Sequence, residues 1–577
     1  MSNGVAITYG DVAPEAKENF DISTSEKKYD TLLNLKKYNM QLYNYATPCE
    51  EYSTVLDGTA IALPVNAQGA NIGLWSNQLS GDDGSFSTTI QITLTSLGQY
   101  SSQGFTFTFD KFNDIYPTSL SIQWIRDTGD TYTDLGTKNF TPNSAFYFCR
   151  NAVENFNKVI IKIFSLNMPK NRLKLERIDY GYGTVFYGDE LRAVKISQTI
   201  DPISTEIQIN TCDFTLDSHT DMEYSFQTRQ PLTVLFNDKL IATTFVKQSK
   251  RKARFLWEVN SEDYIGIMER IPFVGGMYEN INAGTLLENI FDTAKVPYSI
   301  EGDFYDMPLY GHISYTTCRE ALMQVAFACQ GVVDTSNDNV VKVFLINETV
   351  KQTIPKNRIM QGQSFTDEDT VTRVELTYHT YKAITETLEA YKADDSGTGT
   401  DILVKFSEPL HDLSITNGTI TEQGANYAVI TANANCVLTG QKYEHTEQIK
   451  TKSNPTVLAS ELENVKTITS ATLVSSNNVD NILQTCYNWL IKVNTTNLKI
   501  IESKHVVYGD YPRYGKTIFG TAKYGAKTAD IITYDESVNC SDKTTVDTEY
   551  LGEITGVVTK LSFGLNGNIL IKEAVLK

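Results

Sequence analysis

Cys318 opens the helical part of the stretch TTCREALMQVAFACQGVV (residues 316–333), with Arg319 and Glu320 beside it, and these are residue types that a thiol nucleophile uses. Thr317 and Glu320 stand at the spacing of a capping box. That puts Cys318 in a first turn, where a helix dipole lowers a thiol pKa. Against this chemistry, Cys318, Leu322, Val325, Ala326 and Cys329 recur at helical spacing on one face, the pattern of a buried stripe. A nucleophilic thiol also needs a base, and His312 is only one of six widely separated histidines. The reading is core packing.

Other candidate chemistry fails on spacing. GDYPRYGKT (509–517) resembles a phosphate loop, but five residues separate Gly509 from Gly515 where the motif has four. GYGTVFYG (181–188) lacks the third glycine of a dinucleotide fingerprint and precedes strands. The acids Asp367, Glu368 and Asp369 could serve a glycosidase, yet such clusters arise freely in a chain with 69 acidic residues. No zinc spacing of Cys and His occurs. No catalytic, cofactor or metal residue is assigned.

Two sets of residues remain as contact candidates. Lys247, Lys250, Arg251, Lys252 and Arg254 form a basic run in a chain of formal charge −19. The run is either a solvated hairpin tip or an electrostatic contact with an acidic partner. Trp75, Tyr100 and Tyr116 could stack on a sugar if loops brought them together. The overall charge speaks against direct nucleic-acid binding, which clusters Lys and Arg against phosphates.

The elements that must position these residues are mostly strands. The 577 residues are 41% apolar and 21% charged, with 32 Tyr against 4 Trp, which predicts several domains of mainly β (α+β) class with a few short helices. No run of 18 apolar residues and no basic-then-apolar leader appears, so neither membrane insertion nor signal-directed secretion is expected. Eight scattered cysteines without a CxxC pair read as reduced thiols of a chain folded in a cytosol.

Residues 1–35 read as an extended arm, with EKKYDTLLNLKK as a candidate helix. Residues 36–182 read as a β-sandwich of short alternating strands, among them SFSTTIQITLTSL, GFTFTFDKF, SLSIQWIRD, AFYFCR and KVIIKIFSL. TEIQIN and DFTL read as strands whose apolar parity slips, predicting a bulge near Cys212 and Asp213. PLTVLFNDKLIATTF predicts a hairpin turning at Asn237 and Asp238. A helix with Leu286, Leu287, Ile290, Phe291 and Ala294 on one face ends before Pro297, and another carries Val479, Ile482, Leu483, Cys486 and Leu490. Tyr-Gly occurs eight times, and VFYGD (185–189) and VVYGD (506–510) could mark equivalent corners of two related domains.

An ordered series of segments resembles the hub or tail-tip proteins of bacteriophage tails: STEIQINTCDFTLDS, then the stretch from QPLTVLFNDKLIATTF through ARFLWEVN to NAGTLLENIF, then TTCREALMQVAFACQGVVDTSNDNVVKVF, QSFTDEDTVTRVELTYHTYK and GEITGVVTKLSFGLNGNILIKEAV. The resemblance spans most of 183–577. It implies a hub β domain with a helical insertion at 183–350 and a second hub β domain with an inserted β segment at 351–577. It further implies β-barrel hub domains, a homotrimer, and contacts with the tail tube, spike and other baseplate proteins in a virion tail assembled in the host cytoplasm. Residues 36–182 resemble galactose-binding-like sandwiches, which implies subunit docking or a host cell-surface glycan. The alternative function is a carbohydrate-binding adhesin or a glycosidase-associated binding module.

Overall fold

The structure is a computed structural model that describes residues 5–10, 19–25, 44–47, 50, 60–62, 73–129, 131–181, 183–218, 226, 228–236, 239–346, 349–355, 359–369, 371–394, 398–455, 463–469, 471–491, 496–502, 525–533, 538–548, 552–566 and 569–576. The fold is mainly β and multi-domain, with few helices. It divides into two compact units that interleave along the chain. One comprises Met1–Leu191, Leu216–Leu240 and Phe245–Val259, and the other Arg192–Thr215, Ile241–Thr244 and Asn260–Lys577.

Within the first unit, a ribbon of two long strands runs through the middle of a seven-stranded sheet. The expected pair SFSTTIQITLTSL and GFTFTFDKF is one continuous strand, β1 (Ser85–Phe109). AFYFCR and KVIIKIFSL likewise merge into β2 (Phe146–Leu166). The early part of β1 pairs with Lys158–Ser165 of β2, the late part with Phe146–Arg150, and the register slips between Thr95 and Gly104. Ile90, Ile92 and Leu94 from the early part share one core with Phe105, Phe107 and Phe109 from the late part. The ribbon therefore folds over its own apolar face, and Phe105 meets Trp124 of the strand Pro117–Asp127 at 6.3 Å. Gly104 sits at this slip with φ +143°, and a Cβ there would lie 2.2 Å from the Cys149 carbonyl oxygen, so only glycine fits.

The start of the chain, read as an arm, supplies the strand Val5–Gly10, paired antiparallel on one side with Gly183–Tyr187 and on the other with Pro231–Phe236. The candidate helix EKKYDTLLNLKK, the turn at Asn237 and Asp238, the second Tyr-Gly corner VVYGD and the GDYPRYGKT loop lie outside the described residues. A hairpin of β3 (Lys239–Arg251) and β4 (Leu256–Glu262) follows.

In the second unit the helices follow their apolar periodicity. They are α1 (Tyr264–Met268), α2 (Ala283–Ala294), α3 (Cys318–Cys329) and α4 (Val479–Ile491). Leu286, Leu287, Ile290, Phe291 and Ala294 of α2 are all buried, and the helix stops at Lys295 in the left-handed region. TEIQIN is not a strand. Residues 205–210 are irregular chain turning on Asp201, whose carboxylate accepts from the Ile203 and Glu206 amides and the Thr205 hydroxyl. The strand begins at Thr211 and buries Cys212, Phe214 and Leu216 in regular alternation. The parity slip is thus a strand start, and no bulge is needed.

Two further strands, β5 (Arg373–Lys392) and β6 (Tyr427–Ser453), pair antiparallel along most of their length, flanked by Gly399–Lys405, Leu410–Gln423 and Val465–Ile468. The closing segment forms the hairpin Gly552–Asn566 with Ile569–Leu576. The hub barrels implied by the resemblance are not found closed: the described strands form sheets, without a closed barrel among the described residues.

Candidate functional site

The basic run occupies the end of β3 and the turn into β4, where Lys247, Lys250, Arg251, Lys252 and Arg254 are all exposed. Backbone bonds from Lys252 and Ala253 to the Leu256 carbonyl close the turn. The cations are organised by their own hairpin: the Arg251 guanidinium stacks 5.4 Å from the Trp257 ring centroid, Arg254 lies 5.0 Å from that of Phe255, and Lys252 pairs with Glu258 at 2.9 Å. A ring beside a guanidinium attracts it without neutralising it, and Arg251 Nε also donates to the Arg254 carbonyl at 3.0 Å. What the structure displays is a pre-ordered positive tip able to meet carboxylates.

The proposed glycan set is corrected on two counts. Trp75 is fully buried, and the Lys174 ammonium lies 4.8 Å from its ring centroid, so no sugar reaches it. Tyr100 pairs opposite Phe156 of β2, while the Tyr116 amide donates to the Asn167 side chain. Ten residues, 157–166, lie between Phe156 and Asn167, roughly 35 Å along the chain at strand rise. Tyr100 is also occupied, taking a hydrogen bond from Asn19 at 2.8 Å and packing on Phe20. The three aromatics form no common site.

The Lys174 beside Trp75 centres a buried charged cluster that adjacent sequence did not signal. Its ammonium pairs at 3.1 Å with both Glu50 and Asp110, and all three side chains are buried. Glu50 also accepts from the Thr47 amide at 2.7 Å, tying residues 47–50 to the sandwich. Asp110 takes the Phe112 and Asn113 amides as well. The partners lie 64 or more residues from Lys174 except through folding, so no local pattern announces them.

Cys318 is fully buried and its thiol faces the Pro272 carbonyl at 3.9 Å. Thr317 accepts from the Glu320 amide at 3.2 Å, giving the cap. Burial pushes the Cys318 thiol up to about 11 and thereby overrides the helix-start effect. Leu322, Val325, Ala326 and Cys329 are buried with it. The carboxylate Asp263, also buried, caps α1 through the Ile265 and Gly266 amides and accepts from the Asn210 amide and the Thr335 hydroxyl. Its pKa is raised to about 6 by burial, against those hydrogen bonds. The histidines, read as separate, are not: His379 and His445 meet side by side.

No family model matches the chain, and no curated protein does. Among solved structures, it is similar to the tail protein from Neisseria meningitidis, at 10% identity and a TM-score of 0.40, covering 68% of this chain and 93% of that one. The 43 kDa tail protein of prophage MuSo2 from Shewanella oneidensis gives 9% identity and a TM-score of 0.39, covering 68% and 95%. A prophage tail protein, gp18, from Listeria monocytogenes gives 10% and 0.35, covering 68% and 91%. No site residue is carried over from them.

Proposed function

We propose that this chain is a structural protein of a bacteriophage tail, seated at the hub that joins the tail tube to the central spike or tip, and that it works there as a homotrimer assembled in the host cytoplasm. The observation that carries the reading is the ordered series of hub-like segments. Thr211–Asp217, the β3–β4 hairpin, α2, α3, β5 and the closing hairpin follow the chain order of those segments, with other strands between them. The role is architectural, not catalytic.

A multimer also suits the strand edges. Among the described residues, Tyr132–Phe140 is an edge strand in which only Phe140 is buried, and Leu410–Gln423 pairs on one side with β6 and buries only Leu410. Such edges invite pairing unless a neighbour covers them. The cationic tip of β3–β4 then serves as a contact for an acidic neighbour, and a chain of net charge −19 makes a second copy a suitable one. The sandwich docks subunits, since its aromatics do not assemble a sugar site. Sedimentation of the purified 64.6 kDa chain with electron microscopy tests the proposal: threefold rings are expected. A monomer that forms no ring on mixing with tube and spike proteins would overturn it.

A further inference from the structure

The pairing of β5 with β6 sets His379 directly opposite Glu447 and Tyr381 opposite His445. Positions two apart on a strand share a face. The two tripeptides His379-Thr380-Tyr381 and His445-Thr446-Glu447 thus project two imidazoles, a phenol and a carboxylate from one side of the ribbon. His379 Nδ1 lies 2.9 Å from His445 Nε2, and Glu447 Oε1 lies 3.8 Å from the first nitrogen and 4.0 Å from the second.

We propose that His379, His445 and Glu447 bind a divalent transition cation of the zinc, nickel or cobalt class, which clasps β5 to β6. Two nitrogens 2.9 Å apart and each about 2.1 Å from a shared ion subtend roughly 90°, the angle between neighbouring ligands of an octahedral ion. The carboxylate must swing in by less than about 1 Å to join them at ordinary ligand distance, and Glu447 is exposed and able to do so. Imidazole donors select this class over calcium or magnesium, which take oxygen ligands.

The two imidazoles already lie side by side, ring centroids 5.2 Å apart at an interplanar angle of 18°. The His379 backbone amide donates to the Val474 carbonyl at 2.7 Å, and Tyr381 stacks on His445 at 4.6 Å with an interplanar angle of 5°. One ligand is buried and the other two face solvent. That arrangement fixes the site while leaving an ion a way in and water at its remaining positions.

The test uses the full chain, freed of metal by chelator and titrated with Zn2+ alone by calorimetry at mildly alkaline pH, beside His445→Ala and Glu447→Gln. Both substituted residues are exposed, so folding should survive, and circular dichroism checks it. His411→Ala is the control, because His411 bonds Asp412 and the Lys442 carbonyl instead. The expected result is saturable binding whose affinity falls roughly tenfold or more in both ligand variants and is kept in the control. Zn2+ should also raise the unfolding temperature of the native chain but not of His445→Ala. Native-like affinity in His445→Ala, or no binding by the native chain at about 100 micromolar Zn2+, would overturn the site.

Discussion

Lys174 and the Lys247–Arg254 run are cations in the same acidic chain, placed in opposite surroundings. Lys174 is withdrawn from water and held by two carboxylates, Glu50 and Asp110, with an indole alongside. The hairpin cations stand in solvent, with Trp257 beside Arg251, Phe255 beside Arg254 and Glu258 paired with Lys252. A buried ion must be paired because desolvation penalises it heavily, and removing its partner is what hurts. An exposed ion gains little from pairing within its own chain and keeps its charge for a neighbour. Burial therefore separates charges that maintain the fold from charges that can act outside it.

Removing the buried cation gives the largest expected effect. Lys174→Met keeps the length of the side chain but takes the ammonium from between Glu50 and Asp110. A loss of about 3–5 kcal/mol is expected, measured by urea unfolding followed through tryptophan fluorescence and circular dichroism. A loss below about 1 kcal/mol would mean that the cluster behaves as surface charge and would erase the contrast.

Asp263 extends the comparison to a buried acid without a counter-ion among its hydrogen-bond partners. Its folded pKa is raised from 3.8 to about 6 by burial. The folded state thus binds the proton more tightly than the unfolded one. Its contribution is fully present below about pH 4 and is lost as pH rises through about 6, by on the order of 2–3 kcal/mol. Asp263→Asn should remove that slope. Unfolding free energies of both proteins across this range, taken as a difference to cancel the chain's other acids, check the sign.

These two residues also show where sequence reading succeeds and where it stops. Helices α2, α3 and α4 are legible because a 3.6-residue apolar period is local, and their buried faces follow from it. The continuity of β1 is not, since GQYSSQ (98–103) between the two expected strands is polar and opens on glycine, although its backbone remains extended. Trp75 reads as an exposed aromatic until Lys174 comes beside it, and His379 reads as solitary until β6 delivers His445. Pairings across 66 to 124 residues depend on register, which no short window contains. The basic run, by contrast, is contiguous, and its exposure in a hairpin is visible from its spacing alone.

Cys318 offers a smaller, neutral version of the buried case. Cys318→Ser places a hydroxyl where a thiol packs beneath Pro272, and about 1 kcal/mol or more of stability should be lost, with assembly intact. A thiol reagent at neutral pH should leave native Cys318 unlabelled, as expected of a group pushed up to about 11. Rapid labelling would return this residue to the reactive class.

The smallest expected effect on stability belongs to the hairpin. Reversing Lys250, Arg251 and Lys252 to Glu removes the Lys252–Glu258 pair and the stacking of Arg251 on Trp257, and the folded chain should lose less than about 1 kcal/mol. Assembly is a separate readout. If the tip docks on an acidic neighbour, the reversal sets like charges against each other and lowers the yield of rings, more steeply at low salt, where screening is weakest. Because the whole chain is acidic, another copy can be that neighbour, and the loss would then appear in the trimer before any tube or spike protein is added. Ring yield measured at two salt concentrations distinguishes the cases. A yield that drops at low salt and partly recovers at high salt marks the tip as a docking element, whereas an unchanged yield at both makes it a solvated turn.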